Sequence, residues 1–189
     1  DAETVAAIND FADTHPIDFA RLCCACGECS SFGQGRFRGV YRIGMSKDEA
    51  YHHREYPGIH KAILHSFRAL VFYAAVNGAR TPYIECGYRC WVHNQIKERT
   101  STNHMGKALD VNLPLTDADT EDDERRRCDA LRAMLLATSE FQIGWEQPNC
   151  KALEPSQIAP TWIHMDVRCY AAEYLASELF VRSSEELDA

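Results

Sequence analysis

Long apolar runs are missing from this chain: no segment approaches the ~20 consecutive apolar residues that span a bilayer. Positive charge is also scarce, with 20 Lys and Arg against 28 Asp and Glu, a net −8. That balance argues against nucleic acid, whose phosphates call for a basic face. The opening DAETVAAINDF has neither the basic n-region nor the apolar h-region of a signal peptide. For an exported protein the expectation is then a leader already removed, a domain of a longer chain, or another export route. No internal repeat or low-complexity stretch stands out. The acidic run at residues 117–124 lacks the glycine and final glutamate of an EF-hand loop, so it reads as a solvated helix start and not a calcium site. What remains is an ordinary globular composition, 46% apolar and 25% charged over 189 residues, enough for one domain with a sizeable core.

Cysteine is the exception, at nine residues. Four crowd into CCACGEC (Cys23, Cys24, Cys26, Cys29); the others are Cys86, Cys90, Cys128, Cys150 and Cys169. Dispersed cysteines suggest disulfides and an oxidising compartment, with at least one thiol left over. Cys26-x-x-Cys29 has zinc-ligand spacing, but no second CxxC or HxxxH pair accompanies it, so disulfides are favoured over a metal knot. Cys86 and Cys90 bracket Gly87-Tyr88-Arg89, and a disulfide between them would fix that turn.

Apolar spacing predicts a short amphipathic helix over residues 3–13, ended by Pro16, and a strong helix over residues 59–77 closed by Asn77-Gly78. Residues 23–39 read as an irregular cross-linked loop and residues 39–43 (GVYRI) as a short strand. Strands are expected at residues 81–85, 107–112, 141–145 and 161–167. Residues 93–105 read as a loop. Thr120-EDDE starts a further helix, its acidic first turn suiting the positive end of the helix dipole, and a last helix falls near residues 171–180. The pattern indicates an α+β fold, a small mostly antiparallel sheet flanked by helices. Residues 1–45 form a cysteine-rich N-terminal extension, and residues 46–189 the main unit.

Two segments carry the chemistry: residues 85–112, ECGYRCWVHNQIKERTSTNHMGKALDVN, and residues 161–167, TWIHMDV. Alternation along strands puts Asp110 on the polar face with Leu109 and Val111 in the core, and Trp162, His164 and Asp166 on one face opposite Ile163, Met165 and Val167. The intervening loop supplies His104. Two imidazoles and a carboxylate are standard zinc ligands that leave a coordination position open for water. Asp110 between two core residues needs a partner, which a metal would provide. Asp166 reads as a general base or as a partner of His164.

Gly87-Tyr88-Arg89, Asn94, Ser101-x-x-x-x-Gly106-x-Ala108-x-Asp110 and Trp162-Ile163-His164-Met165-Asp166 together resemble the D-alanyl-D-alanine metallopeptidases. These are zinc D,D-carboxypeptidases and related endopeptidases of bacterial cell walls, which share a fold with the hedgehog signalling domain. The likeness covers about Thr81 to Val167, nearly half the chain. It departs from the family pattern at one point: the family's first histidine falls on Asn103, whereas the histidine here is His104. We assign the ligand to His104, since amides are poor zinc ligands beside imidazole.

The resemblance implies a zinc-dependent peptidoglycan hydrolase of the D,D-carboxypeptidase or endopeptidase type, with zinc on His104, Asp110 and His164. It implies that Arg89 binds a substrate carboxylate or the scissile carbonyl, with Ser101 and Trp162 also on the substrate side. Asp166, then Glu146, then Glu154 are the candidates for the catalytic carboxylate. The expected substrate is a peptidoglycan stem peptide and the expected location secreted or periplasmic. An immunity protein would be the partner if the chain is an antibacterial effector. Three rivals follow: an N-acetylmuramoyl-L-alanine amidase on the same centre, a non-catalytic hedgehog-like wall-binding module, and a cysteine-rich structural domain with metal on CCACGEC.

Overall fold

The computed structural model describes residues 1–33 and 55–189. The expected strand at residues 39–43 and the expected boundary between residues 45 and 46 lie outside the described residues.

Helix α1 (Ala2–Thr14) starts where Asp1 accepts a hydrogen bond from the Thr4 amide at 2.8 Å. A short α2 (Phe19–Leu22) is capped in the same way by Asp18. Strand β1 (Ile59–His60) leads directly into α3 (Lys61–Val76). Helix α3 buries Ile63, Leu64, Phe67, Leu70, Val71 and Ala74, the stripe that its spacing predicts. Each buried Leu or Ile there contributes about 1.5–3 kcal/mol. The helix begins two residues later than expected because residues 59–60 pair antiparallel with β7 (Phe180–Val181). Gly58 permits that approach, since a Cβ there would stand 2.3 Å from the Val181 carbonyl oxygen.

The main sheet has five strands in the order β2-β3-β6-β5-β4. They are β2 (Tyr83–Cys86), β3 (Ala108–Asn112), β4 (Phe141–Ile143), β5 (Lys151–Leu153) and β6 (Ile163–Asp166). All neighbours are antiparallel except β4 and β5. Parallel neighbours usually need a long crossover, but three-residue strands let residues 144–150 make the return. Helix α5 (Glu121–Thr138) precedes β4, opened by a reciprocal capping box between Thr120 and Asp123. It packs against α3, β4 and β6. Ile17, Leu22 and Phe32 of the N-terminal segment join the same apolar core as Leu109, Met165 and Leu135.

Three expectations change. Residues 93–96, read as the start of a loop, belong to α4 (Trp91–Ile96), because Cys90 caps it by accepting from the His93 amide. The expected helix near residues 171–180 is instead two 3₁₀ turns (Ala172–Leu175 and Ser177–Leu179) followed by β7, with α6 (Ser184–Asp188) behind it. Pairing with β1 claims Phe180 and Val181, which ends any continuous helix. Strand β5 was not anticipated, being too short to display a period.

Candidate metal centre

The β3–β6 register sets Asp110 directly opposite His164. Cross-strand partners point to the same face of a sheet. The row extends to both sides, since Cys86 of β2 is opposite Asp110. The Glu154 amide donates to the His164 carbonyl at 3.1 Å, just beyond the Leu153–Met165 pair. One row thus carries, in order, a thiol, a carboxylate, an imidazole and a second carboxylate.

His104 reaches the row from the loop before β3. It is 2% exposed. Its Nε2 lies 3.2 Å from Asp110 Oδ2, and its Nδ1 lies 2.9 Å from the Gly87 carbonyl oxygen. His164 presents Nδ1 to Asp110 Oδ1 at 2.7 Å and Nε2 to Asp166 Oδ2 at 3.0 Å. His104 Nε2 and His164 Nδ1 both converge on one carboxylate, Asp110. Arg168 Nη2, a donor, also lies 3.2 Å from His164 Nε2. A cation on His104 Nε2 and His164 Nδ1 would leave the ring protons on His104 Nδ1 and His164 Nε2, where Gly87 O and Asp166 accept them. Metal-binding histidines are held from behind in this way, so the residues fit a divalent cation.

Electrostatics agree with the geometry. Burial pushes His104 down, but Asp110 and Cys86 override it and raise its pKa to about 10. Burial opposes ionisation of Asp110, yet His104 and His164 together hold its carboxyl well below the ordinary range. His164 is raised, since Asp110 and Asp166 outweigh its burial. Without a cation, this is a carboxylate sharing protons with two imidazoles. Cys86 Sγ also comes close to His104 and Asp110. It lies 3.7 Å from His104 Nδ1, and Cys86, His104 and Asp110 bring their ligand atoms within 4.8 Å of one another, a group able to hold a metal ion.

The other expected residues are distributed unequally. Asn103 does not face Asp110. With its amide oxygen turned toward donors, it accepts from Arg168 Nη2 at 2.7 Å and from Ser101 Oγ at 3.1 Å. Asp166 is fully buried, and both its oxygens are occupied: Oδ1 accepts from the Arg168 amide at 2.9 Å, and Oδ2 from Arg168 Nε at 2.6 Å as well as His164. Sequence reasoning missed Arg168, whose guanidinium stacks 4.1 Å from the Trp145 ring centre. Arg89 donates its amide to the His104 carbonyl at 2.7 Å, and its buried Nε has no hydrogen-bond partner among the described residues. Trp162 is half-buried, its carbonyl accepting from Arg132 at 2.7 Å. Glu146 is exposed beyond β4.

No protein-family model, no curated protein and no solved structure matches this chain. The motif residues and their geometry therefore carry the functional reading by themselves.

All nine cysteines are free thiols, where disulfides were expected. The expected Cys86–Cys90 pair does not form, because the two sulfurs serve different neighbourhoods. Cys86 lies in β2 beside His104, while Cys90 Sγ is 3.5 Å from Cys26 Sγ. Cys24, Cys26, Cys29 and Cys90 bring all four sulfurs within 4.8 Å of one another, a cluster able to hold a metal ion. Hydrogen bonding from Cys90 outweighs burial and holds Cys24 down at about 4, while burial and Cys24 push Cys29 up to about 12.

Proposed function

We propose that the chain is a zinc-dependent peptidoglycan hydrolase of the hedgehog-like D-alanyl-D-alanine metallopeptidase type, cutting an amide bond of the stem peptide in the cell wall or periplasm. The observation that carries this reading is the pair of imidazole nitrogens, His104 Nε2 and His164 Nδ1, that meet the Asp110 carboxylate.

Zinc bound by these three side chains would acidify a water molecule and polarise the scissile carbonyl. The chain's own residues do the rest. Asp166 has no oxygen to spare as a base, so it acts as a positioning residue that keeps the His164 proton on Nε2. Glu154, beside His164 on the same face, takes the water's proton and passes it to the leaving amine. Arg89, with its unpartnered Nε, receives a carboxylate of the stem peptide through paired N–H donors. Ser101 and Trp162 are the further residues that the motif resemblance puts on the substrate side.

The test is incubation of zinc-loaded protein with purified sacculi, followed by mass spectrometry of the released muropeptides. Loss of a terminal D-alanine indicates a carboxypeptidase, opened cross-links an endopeptidase, and stem peptides freed from the glycan an N-acetylmuramoyl-L-alanine amidase. His164→Ala abolishes turnover, and Glu154→Gln lowers kcat by about 10²–10⁴-fold with zinc retained. If the loaded protein leaves sacculi intact, the enzyme reading fails. The non-catalytic wall-binding module is then the better account; it is favoured by Cys86, whose thiolate would close the open position if it swung onto the ion. Zinc affinity that drops in Cys86→Ser separates the two.

A further inference from the structure

The geometry points to a second, closed metal site: Cys24, Cys26, Cys29 and Cys90 bind one zinc ion as four thiolates, a structural clamp joining the N-terminal segment to the turn that carries Arg89.

The first argument is size. Zinc–sulfur bonds of 2.3 Å in a tetrahedron put the sulfurs about 3.8 Å apart. The four sulfurs here lie within 4.8 Å of one another, with Cys26 and Cys90 at 3.5 Å. An iron–sulfur cluster attaches its cysteines to separate irons across bridging sulfides and spreads them wider. The spacing fits a single ion.

The second argument is the backbone. Thiolates around a metal carry negative charge that amide N–H groups relieve, and each of the four sulfurs has such a donor. The Cys90 amide reaches Cys24 Sγ at 3.4 Å, the Glu28 amide Cys26 Sγ at 3.3 Å, and the His93 amide Cys90 Sγ at 3.4 Å. The Gly33 amide serves Cys29. Cys23, the remaining member of the run, turns away to the Phe19 carbonyl at 3.4 Å. His93 Nδ1 touches Cys24 Sγ at 3.3 Å but stands outside the group of four sulfurs. Four thiolates fill a tetrahedral shell and leave no open position, which makes the site structural and not catalytic.

The third argument is placement. Three ligands come from the segment after α2 and one from the N-cap of α4. Arg89 immediately precedes Cys90, so the clamp holds the guanidinium-bearing turn whatever that turn binds. The inference does not depend on the hydrolase reading. Loading balances as one Zn²⁺ taken up with release of the thiol protons.

The test uses protein purified without reductant or chelator, with both His104 and His164 replaced by alanine so that only this site remains. One zinc per chain is expected, with four sulfur neighbours by X-ray absorption. Cobalt exchanged into it should give the intense near-ultraviolet sulfur-to-metal absorption of a tetrathiolate, and Cys90→Ser should lose it. Should Cys90→Ser fail to fold, the spectrum of the unsubstituted protein decides. Disulfides among these four cysteines under non-reducing mass spectrometry, or a zinc shell of nitrogen and oxygen only, overturns the proposal. Intact sacculi with the unsubstituted zinc-loaded protein, alongside a tetrathiolate spectrum, would sink the hydrolase reading and leave the clamp standing.

Discussion

Replacing Gly87 by alanine tests how the N-terminal segment and the metal centre are joined. A Cβ at Gly87 would stand 2.6 Å from both the Cα and the carbonyl oxygen of Leu22, where carbon contacts settle near 3.5–4.0 Å. The backbones must therefore part by roughly 1 Å. That gap also stretches the Tyr88 N–H bond to the Leu22 carbonyl, now 2.8 Å. Overpacking of this kind costs about 1–3 kcal/mol and the weakened hydrogen bond about 1 kcal/mol more. The expected loss is about 2–4 kcal/mol, or a Tm lower by roughly 4–16 °C for a domain of this size. The Gly87 carbonyl moves with the turn and loosens its hold on His104 Nδ1, so zinc affinity falls as well. Urea denaturation of the metal-free protein measures the first effect, and titration against a competing chelator the second. Gly78→Ala is the control: its backbone is left-handed but nothing lies within 4 Å of the added carbon, so it costs only about 1–2 kcal/mol. The reasoning is refuted if Gly87→Ala costs no more than Gly78→Ala.

Asp166→Asn should lower metal affinity about 10–100-fold without unfolding the chain, because an amide N–H beside His164 Nε2 drives the ring proton onto Nδ1; unchanged affinity by calorimetry would count against the assigned tautomer. Arg132→Met should destabilise by about 3–4 kcal/mol, since the buried guanidinium donates to the carbonyls of Glu154, Ala159 and Trp162. Denaturation midpoints check this. Stability should also fall as pH drops below about 6.5. His60 is kept neutral by burial and caps α3 through Nδ1, accepting from the Ala62 amide at 3.2 Å while Nε2 meets the Tyr174 carbonyl at 2.9 Å. Burial lowers His65 too. The unfolded chain binds these protons first, so the loss begins near the ordinary histidine value and ends below the lowered one; His60→Gln should flatten the curve.

Much of the site could be read from the sequence because it sits on strands with clean alternation. Leu109 and Val111 announce the face of Asp110, and Ile163 and Met165 that of His164. His104 could be chosen over Asn103 from ligand chemistry alone, and the structure gives Asn103 its own task with Arg168. Glu154 ranked low because β5 offers three residues and no period. Metal on CCACGEC stood only as a rival reading because its fourth ligand, Cys90, is far along the chain, and only the fold brings them together. The C-terminal helix was misread since pairing of Phe180 and Val181 with Ile59 and His60 is non-local.

The cross-sheet row has a consequence for how this protein can vary. Asp110 and His164 are spaced by the pairing of β3 with β6, and the chain between them does not set their distance. Segments such as residues 114–119 or 144–150 can therefore lengthen or shorten across relatives and leave the ion-binding groups in place. A single residue gained or lost inside either strand would turn one of the two side chains to the opposite face. Length is free in the connections and forbidden in nine residues of strand.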